Sequence, residues 1–122
     1  MITINLYLIS EKGLEVLKHI IQKKYHKDVA NVNVIVGKDK NVEEDYSEMI
    51  IEVCMVHGLK YFLRNEIIKS ADYSIAISWR WMLSIPNLIV IHDSILPTYR
   101  GFAPLVNCLK NGERQIGACA QS

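Results

Sequence analysis

The sequence predicts an α/β fold in which helices cover both faces of a parallel-rich sheet. Apolar runs alternate with amphipathic stretches along the chain, which is the order of strands and helices in such folds. The runs at residues 74–77 and 88–91 are apolar almost throughout, as strands buried on both faces require. The chain has 122 residues, half of them hydrophobic, which is enough for one domain with one core.

Two strand–helix pairs are predicted in the first half of the chain. Strands are predicted from Ile2 to Ile9 and from Val32 to Val36. A helix is predicted from Lys12 to Lys24 because apolar residues recur on one face. A second helix is predicted from Glu43 to His57, because acidic residues suit its first turn and Gly58 suits the position after its end. The apolar residues of the first helix are Leu14, Leu17, Ile20 and Ile21.

The second half of the chain is predicted to complete the sheet. Asn65 suits the N-cap of a brief helix that runs to Lys69. Pro104 suits an early position of a later helix, because its missing N–H costs nothing there. The remaining predicted elements are strands at Lys60 to Leu63, Tyr73 to Ile77, Leu88 to Ile91 and Gly117 to Ala120, with the later helix at Ala103 to Lys110.

Composition argues against several classes of protein. The net charge of +1 predicts no strong attraction to nucleic acid or to a membrane surface. The apolar start of the chain lacks a basic segment and no apolar run could span a bilayer, so a cytoplasmic location is expected. The cysteines, Cys54, Cys108 and Cys119, are too dispersed for a zinc site or disulfide framework and are expected to be free thiols.

Ligands of open parallel sheets bind beyond the carboxyl ends of the strands. The turn after the first strand contains one glycine, Gly13, whereas a dinucleotide-binding turn needs several so that backbone can approach a pyrophosphate. NAD or FAD binding is therefore not expected. After the fourth strand, Trp79 and Trp81 flank Arg80. The two rings either cover the edge of the sheet or form a flat wall for an aromatic ligand.

The segment after the fifth strand carries the most chemistry. His92 follows four apolar residues and stands at the binding end of the sheet. His92, Asp93 and Ser94 are the residue types of a hydrolase triad, but extended neighbours point to opposite faces and cannot orient one another. A nucleophile turn of the G-x-S-x-G type is also missing. His92 is therefore a candidate catalytic residue of another kind.

A long ordered motif begins at this histidine. Residues 92–104 read His-Asp-Ser-Ile-Leu-Pro-Thr-Tyr-Arg-Gly-Phe-Ala-Pro, followed by Asn-Gly-Glu at 111–113 and Ile-Gly at 116–117. This order resembles the signature of folate-dependent formyltransferases, a family with methionyl-tRNA, phosphoribosylglycinamide and sugar-amine branches. Residues 72–83 resemble the strand and cofactor loop that precede the signature in that family, and the earlier residues match only in pattern.

The resemblance implies that residues 1–122 form the Rossmann-like N-terminal domain of a transferase of one-carbon metabolism, with 10-formyltetrahydrofolate as formyl donor. An amine would attack the formyl carbon, and His92 would stabilise the oxyanion that results. The loop from Arg80 to Leu83 would hold the pterin ring, largely through its backbone. The cofactor-binding residues implied by the family are Arg80, Trp81, Met82, Leu83, Ser94, Leu96 and Pro97.

Two departures from the family pattern bear on activity. Val90 stands at the position of the family's asparagine and cannot donate a hydrogen bond, while Asn87 lies out of register. Ser94 or a backbone N–H could supply that donor instead. The family's aspartate has no counterpart before Ser122, and the last strands of the family fold are absent. The domain is therefore expected to be incomplete.

Three functions remain open. The first is formyl transfer to a small-molecule amine, such as a sugar-nucleotide amine, with the purine branch and deformylation as related alternatives. The second is a folate-binding module without turnover. The third is an α/β fragment whose open sheet edge pairs with another copy as a homo-oligomer. Neither a membrane nor a metal is an expected partner, and the near-neutral charge disfavours nucleic acid.

Arg100 has two open roles. Its guanidinium suits bidentate binding of a carboxylate or phosphate on the substrate. It would equally suit bracing of its own loop through backbone carbonyls.

Overall fold

The fold was obtained as a computed structural model that describes residues 2–41, 43–66 and 68–91. The strands of the described part are β1 (Ile2–Leu8), β2 (Ala30–Val36), β3 (Lys60–Leu63), β4 (Tyr73–Ile77) and β5 (Leu88–Ile91). Its helices are α1 (Ser10–Gln22), α2 (Tyr25–Asp28) and α3 (Ser47–Val56). Strands and helices thus alternate through the first half, as the apolar pattern predicts.

The strands form a sheet in the order β3-β2-β1-β4-β5, and every described strand pair is parallel. The chain moves outward from β1 to β3 and then returns to the other side of β1. The sheet therefore has a topological switch point between β1 and β4, as in Rossmann-like folds. The predicted α/β class is confirmed, and β3, β4 and β5 have the predicted bounds.

One face of the sheet is buried under α1 and α3. Alternate strand residues such as Leu6, Val34 and Ile75 pack there against Leu17 and Ile50 of the two helices. Right-handed crossovers that lead away from β1 in one direction place both helices on the same face. We call this side of the sheet the helix face.

The same face also contains a buried cysteine. Cys54 of α3 is a fully buried free thiol, and burial raises its pKa to about 12. The predicted free thiol is thus confirmed for Cys54, while Cys108 and Cys119 lie outside the described residues.

The opposite face is covered by a loop, residues 78–86. The buried apolar residues of this face are Tyr7, Ile35 and Ala76, and partly buried side chains from the loop, including Trp79 and Ile85, pack on them. We call this side the loop face. The helix predicted at 103–110 and the strand predicted at 117–120 lie outside the described residues.

Helix α1 begins at Ser10, two residues before its predicted start. The apolar periodicity reveals only the packed turns, whereas the first turn closes earlier because the Gly13 N–H donates to the Ile9 carbonyl at 3.2 Å. The helix ends at Gln22 rather than Lys24, because Lys24 adopts a left-handed conformation with φ of 60°.

Helix α3 begins at Ser47, four residues after its predicted start at Glu43. The acidic residues expected in its first turn instead lie before the helix. The Asp45 carboxylate accepts hydrogen bonds from the backbone N–H groups of Ser47 (2.9 Å) and Asp39 (2.8 Å). Aspartate side chains that bond to nearby backbone compete with helix formation in this way.

The brief helix predicted from Asn65 to Lys69 is wrong for the described residues 65, 66, 68 and 69. The Glu66 N–H donates to the Leu63 carbonyl at 3.0 Å, and the Glu66 carboxylate accepts from the Leu63 N–H. This pair of bonds closes a turn directly after β3. Within the described ranges, no helix has the length and apolar character needed to cross a bilayer.

Candidate functional site

The switch point between β1 and β4 is the predicted place for a ligand, because the connections after these strands diverge there. Ser10 and Ser78 follow the two strand ends and adopt left-handed conformations, with φ of 68° and 55°. Such a conformation is uncommon outside glycine and is enriched at functional sites. Both chain reversals at this edge are therefore made by strained residues.

Aromatic rings cover the neighbouring carboxyl end of β2. The Trp79 ring contacts Tyr7 edge-to-face at a centroid distance of 5.2 Å, and Trp81 contacts Trp79 at 5.1 Å. A Cβ placed on Gly37 would lie 2.9 Å from Trp81 Cζ3 and 3.0 Å from Trp79 Cζ3. The rings therefore reach across the edge of the sheet because residue 37 has no side chain. We call Tyr7, Trp79 and Trp81 the aromatic cluster.

A cation covers one face of the aromatic cluster. The Arg64 guanidinium carbon lies 4.0 Å from the centroid of the Trp81 ring. Arg64 directly follows β3, so it reaches the cluster from the far side of the sheet edge. A cation over an indole face contributes about 0.5–1 kcal/mol when it is exposed. A flat ligand that used this face of Trp81 would have to displace Arg64.

An ion pair ties the loop to the end of β2. Arg80 Nη1 lies 3.0 Å from Asp39 Oδ2, and the side chains are 53% and 8% exposed respectively. The other Asp39 oxygen accepts the Asn41 backbone N–H at 2.9 Å. Because Arg80 is half exposed, the pair contributes modestly to stability. Its main effect is to hold residue 80 beside the aromatic cluster.

Asp45 extends this network to the switch point. Its carboxylate accepts from the Asp39 N–H, and its backbone carbonyl accepts from Ser10 N–H at 3.1 Å. Burial alone would raise the pKa of this carboxyl, but hydrogen bonds from Ser47 and the Asp39 backbone, together with the charge of Lys38, hold it below its ordinary value of 3.8. An ionised carboxylate thus connects the turns after β1 and β2.

The predicted cofactor loop presents both buried and exposed groups. Leu83 packs on the loop face, whereas Met82 is 96% exposed. The Trp79 indole Nε1 is buried and has no hydrogen-bond partner among the described residues. A buried donor of this kind normally has a partner. The Trp79 ring therefore carries an N–H donor that no described residue uses.

Val90 lies at the end of a row that crosses the loop face. Phe62, Ile35, Tyr7, Ala76 and Val90 are consecutive register partners on the five described strands. The Val90 side chain is 46% exposed, although it belongs to the same row as buried residues. Val90, which stands where the resemblance implies an asparagine, is thus an exposed apolar side chain on the face that carries the aromatic cluster.

Asn87 lies at the opposite end of β5 from the predicted catalytic edge. Its side-chain amide donates to the Asp72 carbonyl at 3.0 Å, and its own carbonyl accepts from Ser74 N–H. Both bonds lie at the amino end of β4 and β5, so the predicted lack of register is confirmed. The other predicted site residues, His92, Ser94, Leu96, Pro97 and Arg100, lie outside the described residues.

Three charged residues of the site were not predicted from the sequence: Arg64, Asp39 and Asp45. Arg64 and Asp39 follow β3 and β2 within a few residues. Ligands of open parallel sheets bind beyond the carboxyl ends of the strands, and this expectation covers β2 and β3 as well as β1, β4 and β5. The apolar strand pattern alone, however, does not predict that Trp81 extends towards the residues that follow β2 and β3. Within the described ranges, no His, Cys, Asp and Glu side chains group in a way that could hold a metal ion.

Comparison with known proteins relates the chain to formyltransferases. It is 32% identical over 118 residues to a methionyl-tRNA formyltransferase of Fervidobacterium nodosum, covering 83% of this chain and 37% of that protein. It is 40% identical over 57 residues to the enzyme of that name from Wigglesworthia glossinidia brevipalpis, covering 45% and 18%. It is 53% identical over 38 residues to the one from a Nostoc species, covering 30% and 11%.

The chain thus spans between 11% and 37% of the length of these curated relatives. No protein-family model matches it, and no solved structure matches it. The three relatives confirm the predicted resemblance to the formyltransferase family.

Proposed function

We propose that this formyltransferase-like chain forms the folate-binding part of an enzyme that transfers a formyl group from 10-formyltetrahydrofolate to an amine. The observation that carries the proposal is its similarity to three methionyl-tRNA formyltransferases, one of them over 83% of the chain. The loop after β4 supports it, because that loop stands at a switch point where open α/β sheets bind ligands. A cytoplasmic location fits the same proposal.

The described residues suit a flat heteroaromatic group. The loop from Arg80 to Leu83 lies over an apolar face and is anchored at Arg80 by Asp39. Pockets for such ligands combine apolar walls with a few placed polar groups. The unpartnered Trp79 Nε1 is one such group. When bound, 10-formyltetrahydrofolate would supply the formyl group, and the loop would orient it.

Catalysis is proposed for His92, which follows the last residue of β5. An imidazole at this position could take a proton from the attacking amine and stabilise negative charge on the formyl oxygen. Val90 cannot share that work, since it has no polar atom. Ser94 or a backbone N–H is the proposed second donor, with Leu96 and Pro97 completing the folate site.

The acceptor is proposed to be a small-molecule amine, with Arg100 binding an acidic group on it. The relatives are named for action on methionyl-tRNA. A net charge of +1 gives this chain little electrostatic attraction for a polyanion such as tRNA. A sugar-nucleotide amine would satisfy both an amine acceptor and an acidic group.

A second candidate function is folate binding without turnover. Val90 favours it, because an exposed valine replaces the residue that the family uses to donate a hydrogen bond. Loss of one oxyanion donor costs about 3–4 kcal/mol of transition-state stabilisation in a well-studied case. Formyl-transfer assays with a Val90→Asn variant separate the two functions. Gain of turnover only in that variant would favour the binding module, and turnover in the unmodified chain would exclude it.

Folate binding is tested by calorimetric titration with 5-formyltetrahydrofolate, which does not transfer its formyl group. We expect saturable binding that is weakened at least tenfold by Trp81→Ala. The matched control is Met55→Ala, which removes a similarly large apolar side chain from an exposed site on α3. Circular dichroism checks that both variants fold. Absence of binding by the folded unmodified chain, or equal weakening in both variants, would contradict the proposal.

A further inference from the structure

A cavity lies at the amino edge of the sheet, opposite the aromatic cluster. Its volume is about 500 Å³, within the range of small-molecule sites. It is formed where β1, β2 and β3 begin, beneath α2 and the end of α3. Its polar and basic lining side chains include Thr3, His26, Lys27, Asn33, His57 and Lys60.

The cavity lining is basic. Lys27 and Lys60 bring ammonium groups, His26 and His57 bring imidazoles, and no carboxylate belongs to the lining residues. The neighbouring carboxylates are Asp28 on α2 and Asp72, whose Oδ2 accepts from the Thr3 N–H at 2.7 Å. Asp72 is thus engaged with the backbone at the cavity's border, and the lining itself has an excess of cationic groups.

The position of these groups follows from the end of α3. Gly58, with φ of 69°, reverses the chain, and the Leu59 N–H donates to the Cys54 carbonyl at 2.9 Å. A glycine in this conformation is the common terminator of a helix. The reversal places His57 at the end of the helix and Lys60 at the start of β3, so both border one cavity.

His26 lines the cavity and carries a buried ring nitrogen. Its Nδ1 is buried and has no hydrogen-bond partner among the described residues. Burial, the charge of Lys27 and that of His57 lower the pKa of His26, against a backbone hydrogen bond with Ile20 and the charge of Asp28, which raise it. Burial is the largest of these effects, so the lowered pKa of His26 reflects desolvation first and the neighbouring positive charges second.

We propose that this basic cavity binds a phosphate-bearing small anion, at a site separate from the proposed folate site. The two lysines among the lining residues suit a multiply charged phosphate, for which lysine acts as a point charge. Thr3 and Asn33 add neutral groups near the strand starts, although the Asn33 amide already donates to Asn5 Oδ1 at 3.2 Å. The lysines would supply most of the attraction.

The proposal is tested with inorganic pyrophosphate as the probe. Proton–nitrogen NMR spectra of the histidine rings are recorded during titration of the full chain, at constant ionic strength maintained with sodium chloride. We expect saturable shifts of the His26 and His57 rings, assigned with His26→Gln and His57→Gln, while the His19 ring on α1 stays unchanged. Citrate is titrated in parallel as a carboxylate anion of comparable charge.

Matched variants establish whether the cavity lysines cause the binding. The double variant Lys27→Gln and Lys60→Gln is expected to weaken pyrophosphate binding at least tenfold. The control, Lys18→Gln and Lys40→Gln, removes the same charge from exposed positions outside the cavity and should change it less than twofold. Thermal unfolding checks that both variants fold.

Three results would overturn the proposal. They are the absence of saturable ring shifts, equal weakening by both double variants, and binding of citrate as tight as that of pyrophosphate. Absence of folate binding would not contradict this proposal, because the two sites lie at opposite edges of the sheet and are tested with different ligands.

Discussion

The two faces of the sheet differ in what covers them. The helix face packs under α1 and α3, and its buried cluster includes residues from both helices and from β1, β2, β4 and β5. The buried apolar residues described on the loop face are Tyr7, Ile35 and Ala76, which lie beneath partly buried side chains of residues 78–88 and their neighbours. Packed helices therefore bury one face of the sheet, whereas the loop over the other face contributes Trp79 and Trp81 to the aromatic cluster.

This difference shows how the fold separates stability from binding. Helices satisfy their own backbone hydrogen bonds and bury a continuous apolar stripe. A loop buries less, but its side chains and backbone groups can be aimed at an edge where a ligand binds. Residues that respond to a ligand are expected on the loop face, and residues that decide unfolding are expected on the helix face.

The largest expected effect contrasts truncations on the two faces. Leu17→Ala removes a fully buried side chain of α1 and should lower the free energy of unfolding by about 2–5 kcal/mol. Ile85→Ala on the loop face should cost less than about 1.5 kcal/mol, because Ile85 is only partly buried and its loop can close the gap. Urea unfolding followed by circular dichroism measures both.

If Leu17→Ala does not fold, Ile50→Val provides a milder test on the helix face, with an expected cost of about 0.5–1.5 kcal/mol. Ile85→Val is then its counterpart on the loop face. Equal losses of unfolding free energy on the two faces would contradict the view that the helix face decides stability.

An intermediate effect is expected at the glycine beneath the rings. Gly37→Ala should lower the free energy of unfolding by about 1–3 kcal/mol, because the new methyl group would displace Trp79 and Trp81. Gly58→Ala is the control: its Cβ would meet nothing within 4 Å, but its φ of +69° brings strain of about 1 kcal/mol. Near-ultraviolet circular dichroism should change only for Gly37→Ala, and an unchanged spectrum would contradict the ring packing.

The smallest expected effect concerns acid stability at the site edge. Because the pKa of Asp45 is lowered in the folded chain, its carboxylate stabilises the fold above its ordinary value of 3.8. That contribution is lost as the pH falls below 3.8 and through the lowered folded value. Asp45→Asn should therefore reduce the thermal midpoint near neutral pH, and the deficit should shrink below pH 3.8.

Glu43→Gln is the matched control for this change, since Glu43 is an exposed acidic residue of the same loop. Its thermal midpoint should differ little from that of the unmodified chain at any pH. A deficit for Asp45→Asn that stays constant with pH would mean that the Asp45 network contributes no ionisation-linked stability.

The sequence predicted the three later strands better than the start of β2, which begins at Ala30, two residues before its predicted start, and better than the helix ends. β3, β4 and β5 were predicted to the residue because apolar runs there are bounded by polar turns. The start of α3 was missed because Asp45, which looks like a first-turn acid, bonds to backbone before the helix. The start of α1 was missed because its first turn carries no periodic apolar residue.

The candidate site was predicted only in part. The positions of Arg80 and Trp81 after β4 followed from sequence, as did the apolar character of Val90. Sequence could not predict that Arg64 covers Trp81 or that Asp39 pairs with Arg80, because these contacts join residues 17 and 41 positions apart.

The α/β class, most strands and the likeness to formyltransferases follow from the sequence, since these depend on local patterns and ordered motifs. The shared face of the described long helices, the room that Gly37 leaves for two indole rings and the basic side chains that border one cavity at the amino edge follow from the three-dimensional packing alone. The physical reason is that packing and electrostatics act through space. A parallel sheet brings together strand ends that lie far apart along the chain.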